Sequence, residues 1–265
     1  MLRGLPARLA VAAIFLPLLY VLIRLGGLPY AAFVLLVVLL GAWEWWRLGR
    51  AAGAGADLLP LLAGAAGAWL AAIDPRLERG AALGALLLIA ALLLGLRHAG
   101  GDSARRTGHL LLGVLYVGLL PAFLVKLRGL PDGADVLYLT YATVFLCDTA
   151  AYAVGRALGR RPLWPRVSPR KTWEGAIAGL IASVAVAVAG RAWFAGFLAP
   201  SAAIGFGLIV GVLGQMGDLV ESLWKREAGV KDASALIPGH GGVLDRFDNL
   251  HFVAPVLYTY LLVLR

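Results

Sequence analysis

Charge is scarce in this sequence. Asp, Glu, Lys and Arg make up 15% of its 265 residues, where about 25% is usual in a soluble domain. There is one cysteine, Cys147, so no internal disulfide can form. No HExxH helix, paired CxxC, Walker A loop or dinucleotide fingerprint occurs, which leaves the commonest zinc, phosphate-loop and Rossmann chemistries without a motif. What fills the space instead is apolar: 61% of the residues are hydrophobic. Such a chain cannot cover its surface with polar groups in water, but it can present an apolar outside to lipid. The expected fold class is all-α, a polytopic transmembrane helix bundle.

A helix needs about 20 apolar residues to cross the hydrocarbon core. Apolar runs between polar breaks give about nine candidate spans, at 9–25, 28–46, 57–73, 81–96, 108–127, 134–156, 174–197, 200–222 and 247–264. Arg3 and Arg8 before the first run resemble a signal peptide, but no small-x-small cleavage site follows, so a retained span is expected. The net charge of +9 is read as the Lys/Arg excess of cytoplasmic loops and not as a nucleic-acid surface. With the N-terminus inside, 17 of the 24 Lys and Arg residues fall on the inner side and 7 on the outer. That places the N-terminus and the loops 156–173 and 223–246 in the cytoplasm. Residues 1–130 are read as a scaffold of helices and residues 131–265 as the part carrying the site.

Ionisable residues within spans are costly and mark function. Asp218, Glu221, Ser222 and Lys225 recur at i, i+3, i+4 and i+7, one face of a helix. A solvated helix end, with Asp218 paired to Lys225 or Ser222, is the plainer reading. The following loop holds Lys231, Asp232, Pro238, Gly239, His240, Gly241 and Gly242, then Asp245, Arg246 and Asp248. Glycines let backbone pass close to something, and successive turn amides can form an anion-binding nest. Carboxylates, cations and a glycine loop together suit a metal–polyphosphate site: oxygen ligands for Mg²⁺, cations for the phosphates. A tight turn with Asp245 as helix cap accounts for only part of the set.

A second polar segment holds Asp148, Tyr152 and Arg156 on one helix face, then Ser168, Arg170, Lys171, Thr172 and Glu174. Ser168 and Lys171 offer donors for a phosphate head group. The alternative is a cationic anchor, with Thr172 capping the seventh span and Glu174 on its dipole. Glu44, within Trp43-Glu44-Trp45-Trp46, either meets a partner arginine or sits at the membrane boundary among the tryptophans.

The stretch from Ser222 through Lys225, Arg226, Lys231, Asp232, Ser234, Ile237, Pro238, His240, Gly241, Gly242, Asp245, Arg246 and Phe247 to Asp248 resembles the signature of phosphatidate cytidylyltransferases, or CDP-diacylglycerol synthases. Asp148-Thr149-Ala150-Ala151-Tyr152 and Ser168-Pro169-Arg170-Lys171-Thr172-Trp173-Glu174-Gly175 are similar to that family too. Trp224 and Asn249 depart from its usual pattern, in which an aliphatic residue or Phe, and Ser, stand there. The resemblance implies transfer of a cytidylyl group from CTP to phosphatidate, giving CDP-diacylglycerol and pyrophosphate for phospholipid synthesis. It implies Mg²⁺, with Asp218 and Asp245 as metal ligands, a response to K⁺, and a homodimer.

Fitted to these residues, Glu221 and Asp248 support the metal. Lys225, Lys231 and Arg246 meet the triphosphate. Ser168, Lys171 and Thr172 meet the lipid phosphate, and Asp148, Ser222, Asp232, His240, Gly241 and Gly242 complete the substrate contacts. The chain is expected in a bacterial inner membrane with its site facing the cytoplasm. A CTP-dependent lipid or polyprenol kinase is the nearest competitor, and a secondary transporter a more distant one.

Overall fold

The computed structural model describes residues 5–55, 57–74, 102–239 and 241–264, with Ile89 and Leu93. The expected span at 81–96 and His240 fall outside the described residues. Eight helices run through the rest: α1 (Leu5–Leu25), α2 (Gly27–Ala51), α3 (Leu58–Ile73), α4 (Ser103–Arg128), α5 (Gly133–Leu158), α6 (Trp173–Trp193), α7 (Pro200–Glu227) and α8 (Leu244–Val263). Each coincides with one of the apolar runs read from the sequence. Five of them, α2 and α4 to α7, are long and apolar enough to cross a membrane. The apolar parts of α1 and α3 are shorter. Large hydrophobic side chains stand exposed along these helices, among them Leu28 at 81% and Ile181 at 65%. Such a surface suits lipid and not water.

One element was not legible in the sequence. Residues expected to form a loop make a small antiparallel hairpin, β1 (Pro162–Trp164) and β2 (Ser168–Thr172). Pro162 is opposite Thr172 and Trp164 opposite Ser168, with an irregularity between. The amide of Val167 closes the turn on the Trp164 carbonyl at 3.1 Å, and the Trp173 amide reaches the Arg161 carbonyl at 3.0 Å. Thr172 then caps α6 by accepting from the Gly175 amide at 3.2 Å, as the sequence suggests. Glu174 accepts from the Arg160 and Arg161 amides at 3.1 and 3.3 Å. The strand entry is therefore tied to the first turn of α6.

The chain divides into two compact units, residues 1–126 with 224–247, and 127–223 with 248–265. In the first, α2, α3 and α4 pack around Trp45, Leu61, Ala65 and Val117, all buried. Val114–Leu119 of α4 is a π-helical stretch. Gly118 within it lies so near α3 that a Cβ there would stand 2.6 Å from the Ala65 carbonyl oxygen. In the second unit α5 and α6 pack through small residues. A Cβ on Gly175 would meet the Ala151 carbonyl oxygen at 2.6 Å, and one on Gly179 would touch Cys147 and Ala151 at 3.1 Å. Close backbone approach is how helices gain packing in lipid, where burial alone offers little drive.

Gly175→Ala is therefore expected to cost about 1–3 kcal/mol by overpacking and to lower the thermal midpoint in detergent. Gly108→Ala, in α4 with open space around its Cβ position, should leave the midpoint unchanged or raise it, since alanine is the better helix former.

Candidate active site

In the second unit, Asp218 and Glu221 are one turn apart on α7, and Asp248 stands near the start of α8. Their carboxylate oxygens all lie within 4.8 Å of one another. Gly217 makes this possible: a Cβ there would lie 2.5 Å from the Asp248 carbonyl oxygen, so any larger residue would push α8 off α7. Glu221 and Asp248 are buried and Asp218 is half-buried. Lys171, at the end of β2, forms an ion pair with Asp218 at 2.7 Å. The hairpin thus delivers a cation to the edge of a carboxylate trio.

Three carboxylates this close repel one another, and Lys171 offsets part of that charge. The donor set is all oxygen, the preference of hard divalent cations. Oxygens on opposite sides of Mg²⁺ are about 4.2 Å apart and of Ca²⁺ about 4.8 Å. One oxygen from each residue within 4.8 Å of the others lies inside the Ca²⁺ span, and Mg²⁺ would draw the carboxylates closer.

Around the trio, the Ser222 hydroxyl donates to Asp218 over 3.4 Å, a long bond. Asn249 donates its side-chain amide to Asp148 at 2.8 Å. This gives a physical role to one of the two departures from the family pattern, since the longer amide side chain spans to α5. Ser168 is half-buried on β2, three residues before Lys171.

In the first unit, Lys225 at the end of α7 pairs with Asp245 at 2.6 Å, the two side chains 10% and 4% exposed. The other Asp245 oxygen accepts from the amides of Gly242 at 2.7 Å and Ala233 at 2.9 Å. Burial works against the charge of Asp245. The neighbouring Lys225 and these hydrogen bonds outweigh it and hold the carboxyl below its ordinary range. Gly241 has φ +83°, and a Cβ there would crowd Asp245 at 2.9 Å. The glycine loop does bring amides together around anions, but those of Gly242, Val243 and Leu244 meet the protein's own carboxylates, Asp245 and Glu44. Lys231, Asp232 and Arg246 are exposed around it.

The expected residues thus fall into two groups. Asp218 sits with Glu221, Asp248 and Lys171, and Asp245 sits with Lys225, Gly241 and Gly242. Of the partners that the plainer reading offered Asp218, Ser222 is present over its long bond, and Lys171 adds an ion pair that spacing did not suggest. Trp224, the other departure, meets Trp45 edge-on at 5.3 Å, and Trp45 stacks on His109 at 4.8 Å. Sequence reading gave Ser234 and Asn249 no role of their own and offered Glu44 only an arginine or the membrane boundary; long-range bonds cannot be inferred from spacing.

The Lys225–Asp245 pair sets an order of damage. Asp245→Ala removes a close ion-pair partner from a buried ammonium and the acceptor from two amides, and should cost about 3 kcal/mol or more. Lys225→Met leaves the carboxylate its two amide donors and should cost less. Thermal unfolding of both variants in detergent checks the order.

Comparison with known proteins places these residues in context. The model of the cytidylyltransferase family matches residues 6–264. A phosphatidate cytidylyltransferase of Staphylococcus haemolyticus is 35% identical over 94% of this chain and 94% of its own length. One from Synechocystis is 33% identical over 97% and 96%. One from Staphylococcus aureus is 42% identical, over 57% of this chain and 58% of its own length, so that match spans little more than half of the relative. With the family model covering nearly every residue, the chain belongs to the cytidylyltransferase family.

Proposed function

We propose that this chain is a membrane-embedded phosphatidate cytidylyltransferase, which joins the CMP moiety of CTP to phosphatidate. The observation that carries the reading is the trio of Asp218, Glu221 and Asp248 beside Lys171, in a chain whose full-length relatives bear that name. A phosphate oxygen of phosphatidate attacks the α-phosphorus of CTP. The bond from that phosphorus to the oxygen bridging to the β-phosphate breaks, and pyrophosphate leaves. The attacking monoester has a second pKa near ~6 and is mostly dianionic at neutral pH, so no strong general base is needed. The obstacle is repulsion between two polyanions.

Asp218, Glu221 and Asp248 would hold Mg²⁺, which when bound would offset phosphate charge during the transfer. Lys171 and Ser168 receive the lipid phosphate. Lys225, Lys231 and Arg246 serve the triphosphate, with Asp245 holding the Lys225 ammonium in place. A metal-ligand role for Asp245 requires Lys225 to give up the oxygen it now holds. In this reading residues 131–265 carry the chemistry and residues 1–130 are chiefly scaffold. The chain crosses a bacterial inner membrane about nine times with its N-terminus and both polar loops inside, supported by the 17-to-7 distribution of Lys and Arg. The family resemblance adds K⁺ and a homodimer.

The test is transfer of label by the purified chain with phosphatidate and Mg²⁺. Label from α-phosphate-labelled CTP should enter the lipid, and label from the γ-phosphate should not. The reverse pattern marks a CTP-dependent lipid kinase, and solute uptake into liposomes without any lipid product marks a transporter. Asp218→Asn should lower turnover by at least about a hundredfold with the fold intact; near-normal turnover would remove Asp218 from the metal site. Lys171→Ala should raise the KM for phosphatidate more than that for CTP.

A further inference from the structure

Glu44 is fully buried on α2, and its carboxylate accepts three hydrogen bonds from one distant segment. The donors are the Ser234 hydroxyl, the Val243 amide at 2.9 Å and the Leu244 amide at 2.7 Å. Leu244 opens α8, so the last two are among the N-terminal amides that a helix leaves without an internal partner. Such amides are usually met by a Ser, Thr, Asp or Asn side chain at the cap. Val243 has no such group. The acceptor is supplied instead from α2, about 200 residues earlier, and an anion at that helix end is favoured by the aligned peptide dipoles.

The two carboxylates divide the loop's donors between them. Glu44 takes Ser234, Val243 and Leu244; Asp245 takes Ala233, Gly242 and Lys225. Gly242 sits at the junction, where a Cβ would stand 2.5 Å from a Glu44 carboxylate oxygen. The glycine at 242 thus leaves room for Glu44. Its partners are a hydroxyl and two amides, not the arginine that one sequence reading of Glu44 offered.

We propose that Glu44 is a positioning residue for nucleotide binding: it pins both ends of the 233–244 loop and so sets where Lys225, Lys231 and Arg246 stand. The effect on kinetics rests on the phosphatidate cytidylyltransferase reading; the effect on the loop does not. In the full-length enzyme, Glu44→Gln replaces one acceptor oxygen with an N–H donor that faces another donor. It should raise the KM for CTP about tenfold and leave the KM for phosphatidate within about twofold. Ser234→Ala should do the same more weakly, Ser234→Thr should restore the wild-type value, and Glu44→Gln with Ser234→Ala should be no worse than Glu44→Gln alone.

Limited trypsin digestion should show faster cleavage after the exposed Lys231 in both Glu44→Gln and Ser234→Ala. Unchanged cleavage and unchanged KM for CTP would overturn the proposal, as would equal losses toward both substrates accompanied by a lower thermal midpoint. If Glu44→Gln does not fold, Ser234→Ala and Ser234→Thr decide the same question. If the wild-type chain transfers no cytidylyl group, the functional reading fails, and the cleavage rates alone decide whether Glu44 anchors the loop.

Discussion

A carboxylate removed from water has to be met by donors, cations or metal, and this requirement organises the polar part of the molecule. The chain has 15 acidic residues in all, and among the described ones Glu44, Glu221, Asp245 and Asp248 are buried. Each buried anion imposes geometry on its neighbours, because an unmatched charge in a low-dielectric interior costs several kcal/mol. Asp245 is met by an ammonium and two amides, and Glu44 by a hydroxyl and two amides. Asp248 stands against two further carboxylates, whose mutual repulsion a bound cation would relieve.

Glycine is the means by which those anions come close to backbone. Gly217 admits α8 to α7, Gly242 leaves room for Glu44, and Gly241 adopts a left-handed conformation against Asp245. The same economy operates where nothing ionic is involved, as Gly175 and Gly179 let α5 and α6 approach. With apolar surface on both the lipid and the helix side, shape and hydrogen bonding do what hydrophobic burial does in water. The polar groups are few: carboxylates gathered by glycine contacts, and lysines held by ion pairs.

The short hairpin has a similar function. It is small, yet it carries Lys171 to Asp218, and it is secured at its base by Glu174 and by the Thr172 cap of α6. A lysine on a free loop would spend most of its time in solvent. Under the proposed function, rotamer and backbone freedom removed beforehand is freedom that substrate binding would not have to remove.

The sequence by itself determined the helical class, the position of each described helix and the segments in which the polar residues gather. Apolar length sets a helix in lipid regardless of its neighbours, and charge in such a chain is kept only where it is used. The i, i+3 spacing placed Asp218 beside Glu221, and Thr172 was legible as a cap because capping is local. Only the tertiary structure decided which cation serves which aspartate, that the loop amides of residues 242–244 meet Asp245 and Glu44, and that residues 162–172 form strands. Those outcomes depend on contacts between residues up to 200 positions apart. Periodicity reports which face of a helix a residue occupies, and says nothing about what stands opposite.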